Sequence, residues 1–344
     1  MSHSSVIPQP AQPGRVSVII PTLNVEGLLE NCLGSIARQT YPQGQIEVLL
    51  ADAHSKDRTR EIAAKFKAVV LDDNGRNMEE GKRMALGRAT GEFIVFMDAD
   101  NELTHPDYLE LAVRGLREHP QALGVEAYYP ASRRMTSFCA YITQLLHISD
   151  PVCWFMSQEP QQVARHDDVE RWRLPGESAA YPLGANGFVF RRADLDSVGA
   201  GEHFQDTHVA VRLMQQGKRE WLRIAGRGVH HYYVPTWWGF VKKRRRSTVH
   251  FLNVQEEAPL NWMRQQPRHP LWLAALYCGT IVGPLWHSLV RLARDRDVRW
   301  LWHAPACFGA VIGNVWGIIT YKLHRRDAKL IAKLQVKQTI KKES

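Results

Sequence analysis

Two aspartates one residue apart, Asp98 and Asp100, close an apolar run that begins at Phe93. In an extended backbone, positions i and i+2 point to one face, so both carboxylates would share a side of the chain. Two anions held that close repel unless a cation lies between them. Oxygen ligands of this kind suit hard Mg²⁺ or Mn²⁺, and such an ion in turn grips a diphosphate. A solvated turn at a strand end would use the same residues, because Asp commonly closes strands. The surrounding sequence has to separate these readings.

The run 93–97 follows Gly91 and reads as a buried parallel strand that delivers its acids to a crevice. Upstream, short β-rich stretches at 16–20, 46–51 and 69–71 alternate with helical spacing at 26–38, with Asn24 as N-cap, and at 78–89. A further helix opens at Ser55-Lys56-Asp57 and runs to Phe66. That alternation implies an α/β fold, Rossmann-like, with a mostly parallel sheet and helices on both faces. Ligands collect at the carboxyl ends of such strands. The residues at those ends here are Thr22, Asn24, Asp52 and Asp98, all polar.

Val-Ser-Val-Ile-Ile-Pro-Thr-Leu-Asn-Val-Glu at 16–26 resembles the opening of the family-2 glycosyltransferases, which have the GT-A fold. So do Ser35-Ile36-Ala37-Arg38-Gln39-Thr40-Tyr41-Pro42 and Asp52-Ala53-His54-Ser55-Lys56-Asp57-Arg58-Thr59. Gly81-Lys82-Arg83, Ala89-Thr90-Gly91-Glu92 and Asp98-Ala99-Asp100 continue the pattern in the usual order, so the likeness covers residues 15–240. It departs from the family at His54, which stands where many members carry Gly.

The resemblance implies a nucleotide-diphosphosugar donor, a UDP-sugar by family frequency, from which the nucleotide is displaced at the anomeric carbon. Pro21, Thr22, Asn24, Glu26 and Asp52 would line the pocket for base and ribose. Lys82 and Arg83 would neutralise phosphate, unless they only solvate a helix face. Asp98 would sit by the ribose and the metal, Asp100 would hold Mn²⁺ or Mg²⁺, and His231 or equally His230 would approach the diphosphate. The segment Gly201-Glu202-His203-Phe204-Gln205-Asp206, with Arg212 and Gly217 beyond, is similar to the family's catalytic region. It implies Asp206 as the general base of a single, inverting displacement. Gln205 stands where Glu is common, and a helix N-cap is the other use of Asp206. Residues 125–183 hold Tyr128, Tyr129, Trp154, Phe155, Trp172 and Tyr181 among five arginines, which suits either an acceptor site or a cover over the sheet edge.

The chain carries 44 Lys and Arg against 35 Asp and Glu, a net +9, and much of the excess lies at 242–246 and 322–326. Those clusters flank Trp-rich apolar sequence, which favours an anionic membrane surface over nucleic acid. Residues 271–290 and 300–321 lack formal charge and are long enough for a bilayer of ~30 Å. Four arginines in the connection at 291–299 and cations at both outer ends disfavour a simple double crossing. A hairpin in or dipping into the cytoplasmic leaflet is the first expectation, a two-pass hairpin and an apolar homodimer interface the alternatives.

The five cysteines show no C-x-x-C pairing, so neither a disulfide framework nor a zinc site is expected. Residues 1–14 read as a disordered tail with no signal-peptide core, 15–240 as the catalytic domain and 241–344 as a helical membrane-associated region. The expected protein is a glycosyltransferase at the cytoplasmic face of an inner membrane, acting on a lipid-linked or growing surface glycan. A polyprenyl-phosphate glycosyltransferase and a non-catalytic nucleotide-sugar-binding scaffold are the competing readings.

Overall fold

The computed structural model describes residues 10–75, 77–202, 204–257 and 266–343. The expected tail therefore lies outside the described residues up to residue 9, as does His203. Two compact units emerge. One holds the chain up to Arg134 together with Ser157–Tyr233 and Trp262–Arg268; the other holds Met135–Met156, Val234–Asn261 and the chain from His269. The second unit thus draws in part of the segment expected to choose acceptors.

In chain order the elements are β1 (Gln12–Thr22), α1 (Glu26–Ala37), β2 (Ile46–Asp52), α2 (Thr59–Lys65), β3 (Val69–Asp72), α3 (Met78–Arg88), β4 (Gly91–Phe96) and β5 (Asn101–Leu103). There follow α4 (Tyr108–Glu118), β6 (Val125–Tyr128), α5 (Ser137–Ala140), α6 (Pro151–Met156), β7 (Gln161–His166), β8 (Val169–Arg173), β9 (Phe188–Arg191), α7 (Arg192–Ser197), α8 (Asp206–Gln215) and β10 (Glu220–His231). The chain closes with α9 (Trp237–Glu257), α10 (Leu271–Gly279), α11 (Val282–Asp295) and α12 (His303–Glu343).

Among the described residues the strands form one ten-stranded sheet in the order β3-β2-β1-β4-β9-β6-β10-β8-β7, with β5 paired to β10. The first four strands are parallel, as the alternation of strand and helix requires. Beyond β4 the sheet is mixed, because β9 runs antiparallel to both β4 and β6 and the β7–β8 hairpin adds an antiparallel edge. Residues of one parity on β1, Val16, Val18 and Ile20, pack with Leu29, Leu33 and Ile36 of α1 and with Leu109, Ala112 and Leu116 of α4. Fully burying each of these Val, Leu and Ile side chains stabilises by about 1.5–3 kcal/mol.

β1 starts earlier than the expected 16–20, because Gln12 pairs with Gly91 and the Gly14 amide donates to Glu92. Gly91 admits no side chain: a Cβ there would stand 2.5 Å from Ser17 Oγ, to which the Gly91 amide donates at 2.7 Å. β1 therefore lies between β2 and β4, and the chain leaves it toward one side and returns on the other. The crevice outside the carboxyl ends of β1 and β4 is the switch point where open α/β sheets bind ligands.

The second unit is helical. Gly309, Gly313 and Gly317 recur every fourth residue along α12, and α9 fills the resulting groove. A Cβ at Gly313 would stand 2.6 Å from Arg244 Cβ, and one at Gly317 would stand 2.7 Å from Thr248 Cβ. Small residues at this spacing let two helix backbones approach closely. The uncharged stretch 271–290 is not one straight helix, since α10 and α11 meet at an 80° bend where Thr280 is extended. Val298–Arg325 is long and apolar enough to cross a bilayer by length and composition. The basic cluster at 242–246 is shared between interior and surface. Arg244 pairs with Asp150 at 2.6 Å and Arg245 stacks on Trp316, while Lys242 and Arg246 are exposed. All five cysteines are free thiols.

Candidate active site

β4 ends at Phe96, and the chain turns before it reaches β5. The Asn101 amide donates to the Asp98 carbonyl at 2.9 Å, and Asn101 Oδ1 accepts the Asp98 amide at 3.2 Å. This turn, closed by an asparagine side chain, removes the extended backbone on which a shared face for Asp98 and Asp100 depended. Each carboxylate meets its own partner instead. Asp98 Oδ1 lies 3.3 Å from Lys82 Nζ, and Asp100 Oδ1 lies 3.7 Å from His231 Nε2.

Lys82 sits in the middle of α3, a helix started by the Asn77 side chain, which accepts the Glu80 amide. Its side chain is only 2% exposed, and its ammonium donates to Asp206 Oδ2 at 2.9 Å. Lys82, expected at phosphate or else on a solvated helix face, is not solvated here but bridges Asp98 and Asp206. A lysine so deeply buried keeps its charge only through such partners; burial pushes its pKa down, but Asp206 and Asp98 push it above the ordinary value. Asp206 is the first residue of α8, not its cap. Burial raises its carboxyl to about 6, against the downward pull of Lys82. Its Oδ1 is buried and has no hydrogen-bond partner among the described residues. The loop before β9 crosses directly over it: Gly184 has φ +111°, and a Cβ there would stand 2.5 Å from the Asp206 carbonyl oxygen. Only glycine adopts that path without strain.

The ends of β1 and β2 are stapled to one another. Asp52 accepts from Thr22 Oγ1 at 2.9 Å, the Ser55 amide at 3.1 Å, Ser55 Oγ at 2.6 Å and Arg60 Nε at 2.6 Å. Four donors fill the lone-pair sites of a carboxylate. Asn24, expected as the α1 N-cap, takes a left-handed conformation at φ 51° and accepts the Lys56 amide at 2.8 Å. The Glu26 amide is capped from outside by Asp57 at 3.0 Å, and the Glu26 carboxylate accepts from Arg58. Pro21 and Thr22 close β1 in register with Ala51 and Asp52. Arg83 does not stand free for phosphate: its guanidinium is held by Glu80 at 2.6 and 2.8 Å and by the Gly201 carbonyl at 3.1 Å.

His231 and His230 face opposite ways along β10, as strand geometry demands. His230 Nδ1 meets the Pro130 carbonyl at 2.9 Å, and His231 is the one beside Asp100. Among the described residues no three His, Cys, Asp or Glu side chains converge into a metal cluster. The Asp100–His231 pair fits an ion shared with a ligand, because hard cations at diphosphate sites take one or two protein groups and complete their shell with phosphate oxygens and water. Asp73, buried at the end of β3 with a carboxyl raised by that burial, is also drawn in beside Gly81 of α3. It went unnoticed in the sequence, although an acid closing a parallel strand was its signal.

Residues 93–320, about two thirds of the 344-residue chain, match the model of the glycosyl transferase family group 2, and residues 17–136 match glycosyl transferase family 2. The chain belongs to the family-2 glycosyltransferases and is a transferase enzyme with the GT-A fold. It is 36% identical over 109 residues to the PGL/p-HBAD biosynthesis glycosyltransferase of Mycobacterium bovis, covering 30% of this chain and 42% of that protein. The poly(ribitol-phosphate) beta-N-acetylglucosaminyltransferase TarS of Staphylococcus aureus is 32% identical over 111 residues, covering 30% of this chain and 19% of that one. The matched part therefore spans less than half the length of either relative. Among solved structures, mannosyltransferase PcManGT from Pyrobaculum calidifontis, in complex with GDP-Man and Mn²⁺, shares the fold at a TM-score of 0.51 and 20% identity, covering 90% of this chain and 89% of that one.

Proposed function

We propose that the enzyme transfers a sugar from a UDP-sugar, with inversion, to a lipid-linked or growing surface glycan, using Asp206 as general base. One observation carries this reading: Asp206 has one oxygen fixed on Lys82 and the other buried and unfilled. An incoming hydroxyl supplies the missing donor. As its oxygen attacks the anomeric carbon, its proton passes to Asp206 Oδ1. The new glycosidic bond forms, the bond to the β-phosphate breaks, and the nucleotide diphosphate departs from the opposite face. Asp100 and His231 would hold a divalent ion, Mn²⁺ or Mg²⁺, which when bound stabilises charge on the leaving diphosphate. The loops at Thr22, Asn24 and Asp52 form a rigid rim beside the base and ribose.

The acceptor class rests on two supports. The curated relatives are named for PGL/p-HBAD biosynthesis and for poly(ribitol-phosphate) glycosylation. The helical unit also exposes Trp272, Ile281, Val282 and Trp286 around the α10–α11 bend, and Arg294 and Arg296 at the far end of α11. Apolar and tryptophan side chains together with cations suit the interface of an anionic leaflet. On this reading the enzyme works at the cytoplasmic face of the inner membrane, with the bent pair dipping into the leaflet.

A thermal-shift screen of UDP- and GDP-sugars with Mn²⁺ tests the donor. A UDP-sugar should stabilise the full chain selectively, by mass action. Equal stabilisation by every nucleotide sugar, or by none, would refute the assignment. Asp206→Asn should lower transfer by roughly 10²–10⁴-fold while UDP still binds, and full turnover in that variant would remove Asp206 from the mechanism.

A further inference from the structure

We propose that Lys82 is a positioning residue: it fixes one oxygen of Asp206 so that the other faces the acceptor hydroxyl, and it ties that base to the donor-side Asp98. The inference rests on the reading of Asp206 as general base and adds to it the group that orients it. A free carboxylate rotates about its last bond and presents either oxygen. Here Oδ2 lies 2.9 Å from Lys82 Nζ while Oδ1 has no partner among the described residues. The ammonium enters from α3, 124 residues away in sequence, and 3.3 Å from it lies Asp98 Oδ1 at the end of β4. One cation thereby holds three elements, α3, β4 and α8, at a common point. Glu79, one turn earlier on α3, adds its negative field to the same ammonium.

Charge compensation alone would require only a cation nearby. The geometry goes further, because a lysine side chain only 2% exposed, packed among its neighbours and held by two carboxylates, has little room to leave that contact. Its contact decides which carboxylate oxygen is available. Displacing a catalytic group by about 1 Å costs roughly 10²-fold in rate. Donor binding, in contrast, has no need of the Lys82–Asp206 contact.

The test uses the purified full chain in detergent with Mn²⁺, measuring nucleotide release from UDP-glucose, UDP-galactose and UDP-N-acetylglucosamine and UDP affinity by calorimetry. Lys82→Met should lower kcat by roughly 10²-fold and leave the Kd for UDP within about threefold. Lys82→Arg, which keeps a cation but alters the reach, should recover part of the loss. In the Asp206→Asn background, Lys82→Met should cost nothing further, since residues that act as one unit are not additive. An equal loss of kcat in both backgrounds would overturn the positioning role and leave Asp206 in place. Loss of UDP binding in step with kcat would overturn it too, by assigning Lys82 to the donor. No turnover of any donor by the unaltered protein would instead overturn the reading of Asp206 on which the proposal rests.

Discussion

Asp52 closes β2 and Asp206 opens α8; both are carboxylates, and their surroundings differ in kind. Asp52 is fully buried and accepts from four donors. Asp206 receives one ammonium on one oxygen and leaves the other unfilled. Hydrogen bonds to the ionised form outweigh burial at Asp52 and hold its carboxyl below the ordinary value; at Asp206 burial wins and lifts it to about 6. An acid with every lone pair filled is a fastener. An acid held on one side only is placed to take a proton. The same residue type, under opposite balances of desolvation and hydrogen bonding, supplies a scaffold in one place and, on the proposed reading, the base in the other.

The contrast is sharpest in activity. Asp206→Asn should lower kcat by roughly 10²–10⁴-fold, the usual contribution of a general base, while Asp52→Asn leaves the chemical step nearly intact. The unaltered enzyme should also lose kcat/KM as pH falls below about 6, because the base must be ionised to act. A pH–rate profile flat down to 4.5 would break the comparison from the Asp206 side.

In stability the order reverses. Asp52→Ala removes the acceptor shared by Thr22, Ser55 and Arg60 and leaves the buried Thr22 hydroxyl and the half-buried Ser55 unmet, a cost of about 1–3 kcal/mol. Thermal unfolding with and without UDP would read it. The pH dependence carries a sign: the folded pKa of Asp52 lies below its unfolded value near 3.8, so its stabilisation is complete above that value and is lost as pH falls through the lower folded one. Asp52→Asn should therefore narrow the loss of Tm between pH 5 and pH 3. An unchanged acid slope would mean that Asp52 is not the fastener its bonds describe.

How much of this was legible beforehand follows from the range of each interaction. The parallel half of the sheet and the polar strand ends at Thr22 and Asp52 were legible, since alternation and strand-end acids are local patterns. The divergence of Asp98 from Asp100 was not, because it depends on the Asn101 side chain closing a turn that the apolar run before it does not specify. The Lys82–Asp206 contact joins positions 124 apart, and no spacing rule reaches that far. Arg83, expected at phosphate from its place in a motif, also pairs with Glu80 three residues earlier, a contact that helical spacing makes local. The spacing of Gly309, Gly313 and Gly317 was likewise present, inside a stretch whose hydropathy, tryptophans and flanking charge spoke only to a membrane.

The smallest expected effect lies in the turn that holds Asp52. His54 takes φ 58° there, where many family members carry glycine. A left-handed conformation costs an L-residue about 1–2 kcal/mol, and glycine removes that cost while adding about 0.5–1 kcal/mol of unfolded-chain entropy. His54→Gly should thus stabilise by under about 1 kcal/mol, a rise in Tm of at most ~2–4 °C, with the Ser55-to-Asp52 bonds intact. UDP affinity should stay unchanged, because the turn positions the fastener and the backbone path survives the substitution. A marked loss of UDP binding in His54→Gly would show that the imidazole itself meets the nucleotide. The β2 end would then read ligand as well as fasten the fold, and the division between Asp52 and Asp206 would have to be redrawn around His54.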